Sequence, residues 1–435
     1  MRKQTIMAVL LLAASAPAAW AQSGTNSPYS QFGLGTLADQ TSGFNRGMNG
    51  VGLAFREHNQ VNYINPASYS AIDSLSFIWD VGTSLQLTHF EEGGVKKNAR
   101  NGNLEYVVAG LRLAKGFGLS FGLIPMTNVG YSYSNTDYVG SSSGTTTHTL
   151  TNSGSGGFHQ VYVGLGWSPW FHRRFSLGAN FSYVWGNYTR SVAETYSDSY
   201  INSVSRVYTA DVQSWRLDLG AQYVIPLGKK NDVTLAFTYT PGHSLGGDPQ
   251  MISTSTNSTE GTSTADTLGT GLKLNMPDMY GFGLTWNQGT RWHVGIDYSL
   301  QKWGKLEQPA YIGERQYVMT SGLYMDRKKI NIGGEYVPNT MSRRFLNRVH
   351  YRLGASYATP YYKMNTTSGL IDGPKEYSVS GGFGIPLSNA YSNRSFLNIS
   401  AQWVRSTTSL IKENTFRINL GLTFDERWFM KFKVE

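Results

Sequence analysis

The chain has 435 residues, no cysteine and a formal net charge of +9, which excludes disulfides, thiolate metal sites and cysteine nucleophiles. Charged residues reach only 15%, while aromatics make up 13% and glycine fills 49 positions; ordinary globular domains are about 25% charged. The basic excess forms no run and no nucleic-acid motif, so nucleic acid is not an expected partner; such charges suit barrel rims that face anionic lipid head groups.

Residues 1–21 read as a secretory signal peptide. Arg2 and Lys3 form a positive start and Ile6 to Ala14 an apolar run. Ala19-Trp20-Ala21 then puts small residues where a signal peptidase reads, with cleavage before Gln22. That run is too short for a membrane helix, and no later stretch approaches the ~18 apolar residues one needs.

Residues 22–72 follow no strand pattern. They contain Ser27-Pro28-Tyr29-Ser30-Gln31-Phe32-Gly33-Leu34-Gly35, then Arg46-Gly47-Met48-Asn49-Gly50-Val51-Gly52, then Asn62-Tyr63-Ile64-Asn65-Pro66-Ala67. Glycines so close together suit tight, close-packed backbone rather than long helices. Three placements are open: a tail in the periplasm, a linker, or a plug inside a barrel. A barrel of fourteen strands encloses a lumen too wide for side chains alone to fill, which makes a plug physically sensible.

From residue 73 to 435 the chain alternates as a transmembrane β-barrel must, with one face toward lipid and one toward the lumen. Trp292, Val294, Ile296, Tyr298 and Leu300 share one face, opposite His293, Gly295, Asp297, Ser299 and Gln301. Trp215, Leu217, Leu219, Ala221 and Tyr223 lie opposite Arg216, Asp218, Gly220 and Gln222. On this pattern strands fall near 74–90, 102–114, 117–134, 157–168, 174–192, 205–225, 232–241, 276–287, 291–302, 328–337, 348–359, 375–386, 395–408 and 414–424. Turns after even strands are mostly short and loops after odd strands mostly long, as in an outer-membrane barrel with both termini in the periplasm. Asp425 to Glu435 fits either an extension of the last strand or a separate one. The Ser/Thr-rich stretches, such as Ser134 to Gly156, read as solvated outer loops without a site.

The third strand carries Gly122, Pro125 and Gly130. Proline removes a ladder donor and the glycines permit bending. Two readings fit: a break in the wall, or a proline at the membrane boundary where water satisfies the neighbour's carbonyl. Arg216 and Asp218 on the sixth strand, with His293 and Asp297 on the ninth, are expected to form a solvated polar network in the lumen. No His-Glu-x-x-His, Gly-x-Ser-x-Gly or phosphate loop occurs, so neither enzyme activity nor a metal or cofactor is expected.

A glycine-rich N-terminal segment ending in Asn65-Pro66-Ala67 and followed by fourteen strands resembles the FadL family of outer-membrane transporters for hydrophobic compounds, over nearly the whole mature chain. The resemblance implies a hatch that plugs the barrel, with Asn65, Pro66 and Ala67 as its motif. It also implies capture of an apolar, fatty acid-like ligand among the outer loops and lateral release at a kink near Pro125. The expected setting is the outer membrane, with lipids, a hydrophobic ligand and other outer-membrane proteins as partners. The alternative is a non-transporting barrel that serves as a scaffold or docking subunit of an outer-membrane complex.

Overall fold

The computed structural model describes residues 24–139, 146–169, 174–269, 271–313, 315–366, 369–387 and 395–427. The short strand β1 (Thr36–Leu37) lies in the N-terminal segment. The wall begins with β2 (Ser76–Glu92), β3 (Val95–Ala114), β4 (Phe117–Pro125), β5 (Thr127–Tyr138), β6 (Thr147–Trp167), β7 (Phe175–Tyr196), β8 (Ser203–Pro226) and β9 (Asn231–Thr240). Short strands β10 (His243–Gly246), β11 (Gln250–Asn257), β12 (Thr262–Leu268) and β13 (Leu274–Met276) occupy the next loop. The wall resumes with β14 (Met279–Gln288) and β15 (Trp292–Gln301). A hairpin of β16 (Gln308–Gly313) and β17 (Gln316–Thr320) precedes β18 (Arg327–Tyr336) and β19 (His350–Ala358). A second hairpin, β20 (Lys363–Thr366) and β21 (Gly369–Asp372), leads to β22 (Lys375–Pro386), β23 (Phe396–Thr407) and β24 (Ile411–Arg427).

With β4 and β5 counted as one interrupted strand, fourteen antiparallel strands form the wall, and β2 closes it on β24 from Ser76↔Arg427 to Glu92↔Ile411. The alternation read from sequence is the alternation of the wall. Trp292, Val294 and Ile296 face outward and are exposed in the isolated chain, whereas Asp297 is buried. Aromatic pairs mark both rims of the lipid-facing band, with Phe117–Trp167, Trp292–Tyr336 and Tyr351–Phe383 at the short-turn end. Tyr183–Trp185, Tyr239–Tyr280 and Tyr357–Tyr377 mark the long-loop end; tyrosine and tryptophan favour such interfaces because one end of each ring is apolar and the other wet. Among the described residues no helix is long and apolar enough to cross a membrane.

At the long-loop end several strands run further than the alternation indicated. β3 begins at Val95 rather than near 102 and β6 at Thr147, so the second half of the stretch from Ser134 to Gly156, expected as loop, is sheet. β11 pairs with the upper part of β8 and with β12, so β5, β6, β7, β8, β11 and β12 form a sheet that rises beyond the aromatic rim. Both faces there meet water or protein rather than lipid, so the apolar/polar alternation that reveals a membrane strand is missing. Gly156, Gly157 and Gly186 have φ of 118°, 146° and 141°, which only glycine adopts without strain. They bend β6 and β7 at the level where β4 breaks from β5. β24 takes in Asp425 to Arg427 as an extension of the last strand; residues 428–435 and residues 1–23, where a signal peptide is expected, lie outside the described residues.

Candidate functional site: the filled lumen and the interrupted third strand

Residues 24–72 lie against lumen-facing side chains all round the wall. The backbone is drawn in close because the wall offers glycine where it passes. Gly118, Gly166, Gly178 and Gly220 are register partners across β4, β6, β7 and β8. A Cβ on Gly118 would overlap the Tyr69 carbonyl, and one on Gly166 would sit 2.6 Å from the Pro66 oxygen. On the facing wall Gly295, Gly333 and Gly354 form a second such row, and a Cβ at Gly333 would lie 2.6 Å from the Met48 oxygen.

Asn65-Pro66-Ala67 opens a short 3-10 helix, Pro66–Ala71, on the first glycine row. The Asn65 side chain accepts from the Ala67 amide at 3.1 Å and donates to the Leu53 carbonyl at 2.9 Å, and all three residues are buried. The motif therefore caps a helix and ties two turns of the segment together.

Ion pairs add a second set of fastenings. Arg46, on the single-turn helix Gly43–Arg46, reaches Glu105 of β3 at 3.0 Å and Asn419 of β24 at 3.1 Å, with both charged groups buried. Asp39 meets Arg417 at 2.8 Å and Lys329 at 3.4 Å. Burial alone would raise the Asp39 carboxyl, but Lys329, Arg417 and Arg46 outweigh it and hold the group well below the usual carboxylate range. Arg352 bonds Glu335 at 2.6 Å and Asn398 at 2.6 Å beneath Met48 and Gly47.

Of the four polar residues expected to form one lumen network, Arg216, Asp218 and Asp297 line one cavity, and His293 is not part of that lining. Arg216 pairs with Asp218 at 2.9 Å and donates to the Gln40 side chain at 3.2 Å. Asp297 instead accepts from the amides of Gly52 and Leu53 at 2.6 and 2.9 Å. His293 stacks on Phe55 and lies 3.7 Å from Glu57. Arg216, Asp297 and His293 each take a partner from the N-terminal segment, while Asp218 accepts from Arg216 and Thr240, so these groups also hold backbone and side chains of residues 40–57. What remains between segment and wall is a cavity of about 210 Å³ lined by Asp39, Gln40, Arg216, Asp218, Asp297 and Lys329. That volume suits roughly seven waters at ~30 Å³ each, and Leu37, Leu53, Ile64, Ile124 and Met279 make the other part of its lining apolar.

At the third strand the ladder does break. β3 pairs with β4 only as far as Val107↔Leu123, and beyond Pro125 the strand resumes as β5 without meeting β3. Residues 95–106 of β3 thus pair with β2 on one side and, among the described residues, with no strand on the other. The N-terminal segment occupies that side. β1 pairs with β5 at Thr36↔Asn128 and Leu37↔Thr127, and the Ala38 amide donates to Met126. Ser30 serves both backbone groups of Gly130, its hydroxyl donating to the carbonyl at 3.2 Å and accepting from the amide at 3.1 Å. Across the gap Asn103 of β3 donates to the Gly24 carbonyl at 2.8 Å. Gln40 reaches the Pro125 carbonyl at 3.4 Å. Gly122 packs against β3, where a Cβ would lie 2.5 Å from the Val107 oxygen.

Toward the long-loop end, Tyr29 and Leu34 enter an apolar cluster with Met126, Trp303, Tyr361 and Tyr362. Tyr361 accepts from the Leu34 amide at 3.2 Å and donates to the Gly35 carbonyl, and Tyr362 donates to the Tyr29 carbonyl at 3.1 Å. The apolar surface beneath the loops is covered by the chain itself. Sequence reasoning missed Asp39, Arg46, Ser30 and the glycine rows; only the glycine density hinted at the last.

Among solved structures, the toluene transporter TodX of Pseudomonas putida is similar at 15% identity and a TM-score of 0.59, covering 92% of this chain and 100% of that one. The toluene transporter TbuX of Ralstonia pickettii gives 13%, 0.57, 92% and 100%. A FadL homologue of Pseudomonas aeruginosa gives 13%, 0.59, 88% and 98%. At such identity the likeness is one of fold, so the FadL resemblance holds for the barrel. No curated protein matches the sequence. A family model described as BamG matches residues 1–435, from end to end. The chain is thus a member of the BamG family, with the barrel fold of FadL-type structures.

Proposed function

We propose that this barrel is a non-transporting subunit of the outer-membrane barrel-assembly (Bam) complex, with residues 24–72 as a fixed plug and the loop end as its working surface. The whole-length match to the BamG family carries this reading. The interior supports it: a transport route needs an open path and an exit, yet residues 24–72 fill the lumen and Ser30, β1 and Gly24 occupy the gap beside β5. Glycine rows and buried ion pairs make the plug costly to displace. The barrel has no catalytic part in this reading.

Uptake of hydrophobic compounds is the second reading, favoured by the interrupted third strand at Pro125. One pair of measurements separates the two. Tagged chain, extracted in mild detergent from its own host, should bring down Bam-complex subunits in fixed ratio, and its depletion should lower the level of other outer-membrane barrels. Proteoliposomes of the purified barrel should take up toluene and oleate no faster than protein-free vesicles. A solitary barrel that speeds uptake would replace the assembly reading with transport.

A further inference from the structure

The sheet that rises past the long-loop rim has two unlike faces. Its inner face carries large side chains packed on the loops: Tyr208 lies against Tyr317, Arg206 over Tyr311, and Arg190 donates to the Gly33 carbonyl at 2.8 Å. Below its upper edge the outer face carries no aromatic or long side chain. Ser134, Thr151, Ala193, Ser205, Thr254 and Ala265 form one row across β5, β6, β7, β8, β11 and β12. The rows on either side, from Thr136 to Ser263 and from Ser132 to Thr267, hold only Ser, Thr, Val and Ile. None of these residues is charged and none is buried.

Sheet faces that stay in water are ordinarily sprinkled with charges of both signs, whereas the centres of protein interfaces are depleted of them. Tyrosine anchors stand at the upper edge of this face. Tyr138 points outward from the end of β5 and is 61% exposed, and Tyr200 at the β7–β8 tip is 76% exposed. That tip is braced, since Thr259 donates to the Ser199 carbonyl at 2.9 Å and Asn257 to Asn202 at 2.8 Å. Rigid tyrosines beside small hydroxyl residues are also how antibody paratopes meet proteins.

We infer that this outer face docks another subunit of the Bam complex, one standing beside the barrel in the same membrane. The inference rests on the assembly reading above and gives it a surface. Six strands at ~4.8 Å spacing and about 20 Å of strand length make a face of about 500 Å², against about 800 Å² per partner in a stable interface. The remainder is at hand directly below, where Val163, Phe181 and Trp215 continue the same strands into the lipid-facing wall. A partner that uses both areas rises from the bilayer next to β6, β7 and β8. Because this face is flat, the partner supplies the large apolar and aromatic side chains that lie across it.

The test uses the tagged full-length chain in its own host. Thr151→Lys with Ser205→Lys puts two charges in the central row, and Tyr200→Ala removes the tip anchor. The triple variant should keep its heat-dependent shift in gel mobility, the sign of a folded barrel, and recover at least tenfold fewer Bam subunits per tagged chain. A control with Ser409→Lys and Leu410→Lys, on another outer turn, should stay within twofold of wild type. A folded triple variant that retains the complex overturns the docking face and leaves the assembly reading standing. A wild-type chain that brings down no Bam subunit overturns the assembly reading itself, and this inference with it. Ser191→Cys carrying a photoreactive maleimide should attach to a Bam subunit; attachment only to lipopolysaccharide or to a second copy of this chain overturns the proposal.

Discussion

Replacing Arg46 by methionine isolates what holds the plug in place. Arg46 fills four acceptors: Glu105 at 3.0 Å, Asn419 at 3.1 Å, and the Thr41 and Asp39 carbonyls at 3.1 Å each. Methionine keeps the unbranched apolar stem and leaves Glu105 ionised and buried without its cation. Losing one partner of a buried pair costs about 3–5 kcal/mol. Ser84 still donates to Glu105, so the lower end applies, about 3 kcal/mol. At 1.4 kcal/mol per tenfold, the plug opens about 150-fold more often. The assay places a single thiol at Val51, fully buried in a chain without native cysteine, and follows its labelling by a maleimide. When closing outpaces labelling, the rate reports the open population. Adding Glu105→Gln should return most of the loss, because the neutral amide no longer needs the cation. A labelling rate in Arg46→Met within threefold of the parent would refute the claim that this pair fastens the plug.

The other expectations concern the same fastenings. Gly178→Leu drives a side chain into the Pro66 backbone and should expose the Val51 thiol at least tenfold faster, while the barrel keeps its heat-dependent gel shift. Ser30→Ala leaves Gly130 with two unserved backbone groups at about 1–3 kcal/mol; its amide should exchange hydrogen ten- to a hundredfold faster, and an unchanged rate would mean another donor takes over. Asp39 has a folded pKa lowered from an unfolded value near 3.9. Its contribution is therefore present above that value and lost as pH falls toward the folded one. Plug protection in hydrogen exchange should be flat from pH 8 to about 5 and weaken only below about 4, and Asp39→Asn should remove that acid step.

How much of this was legible depended on where lipid lies. The strands in the bilayer showed themselves because lipid and lumen impose opposite demands on neighbouring residues, so Trp292 to Gln301 could be read to within a residue. The upper half of β6 lies beyond lipid, and Thr147 to Gly156 looks like loop although every residue pairs. The interior was less readable still. Asp297 and Arg216 were picked out as lumen-facing charges, but their partners are the amides of Gly52 and Leu53 and the Gln40 side chain, in a segment whose path no periodicity describes. Arg46 and Glu105 sit 59 positions apart, and nothing local to either announces the pair. Pro125 did signal the broken ladder, yet the residues that occupy the gap came from the opposite end of the fold's logic, a serine and two short backbone pairings.

The closure of β2 on β24 has a temporal meaning. The residues that fill the lumen precede every wall strand in the chain, and the last strand joins the first over seventeen register pairs. Once that join is made, the N-terminal segment is ringed by continuous hydrogen-bonded sheet, and the Pro125 break is the place where the ring is incomplete. The segment must therefore be gathered in before the final strand arrives, since threading fifty residues into a finished cylinder would mean unmaking contacts with nearly every wall strand. The order of synthesis thus becomes an order of construction, with the contents laid down first and the container closed around them.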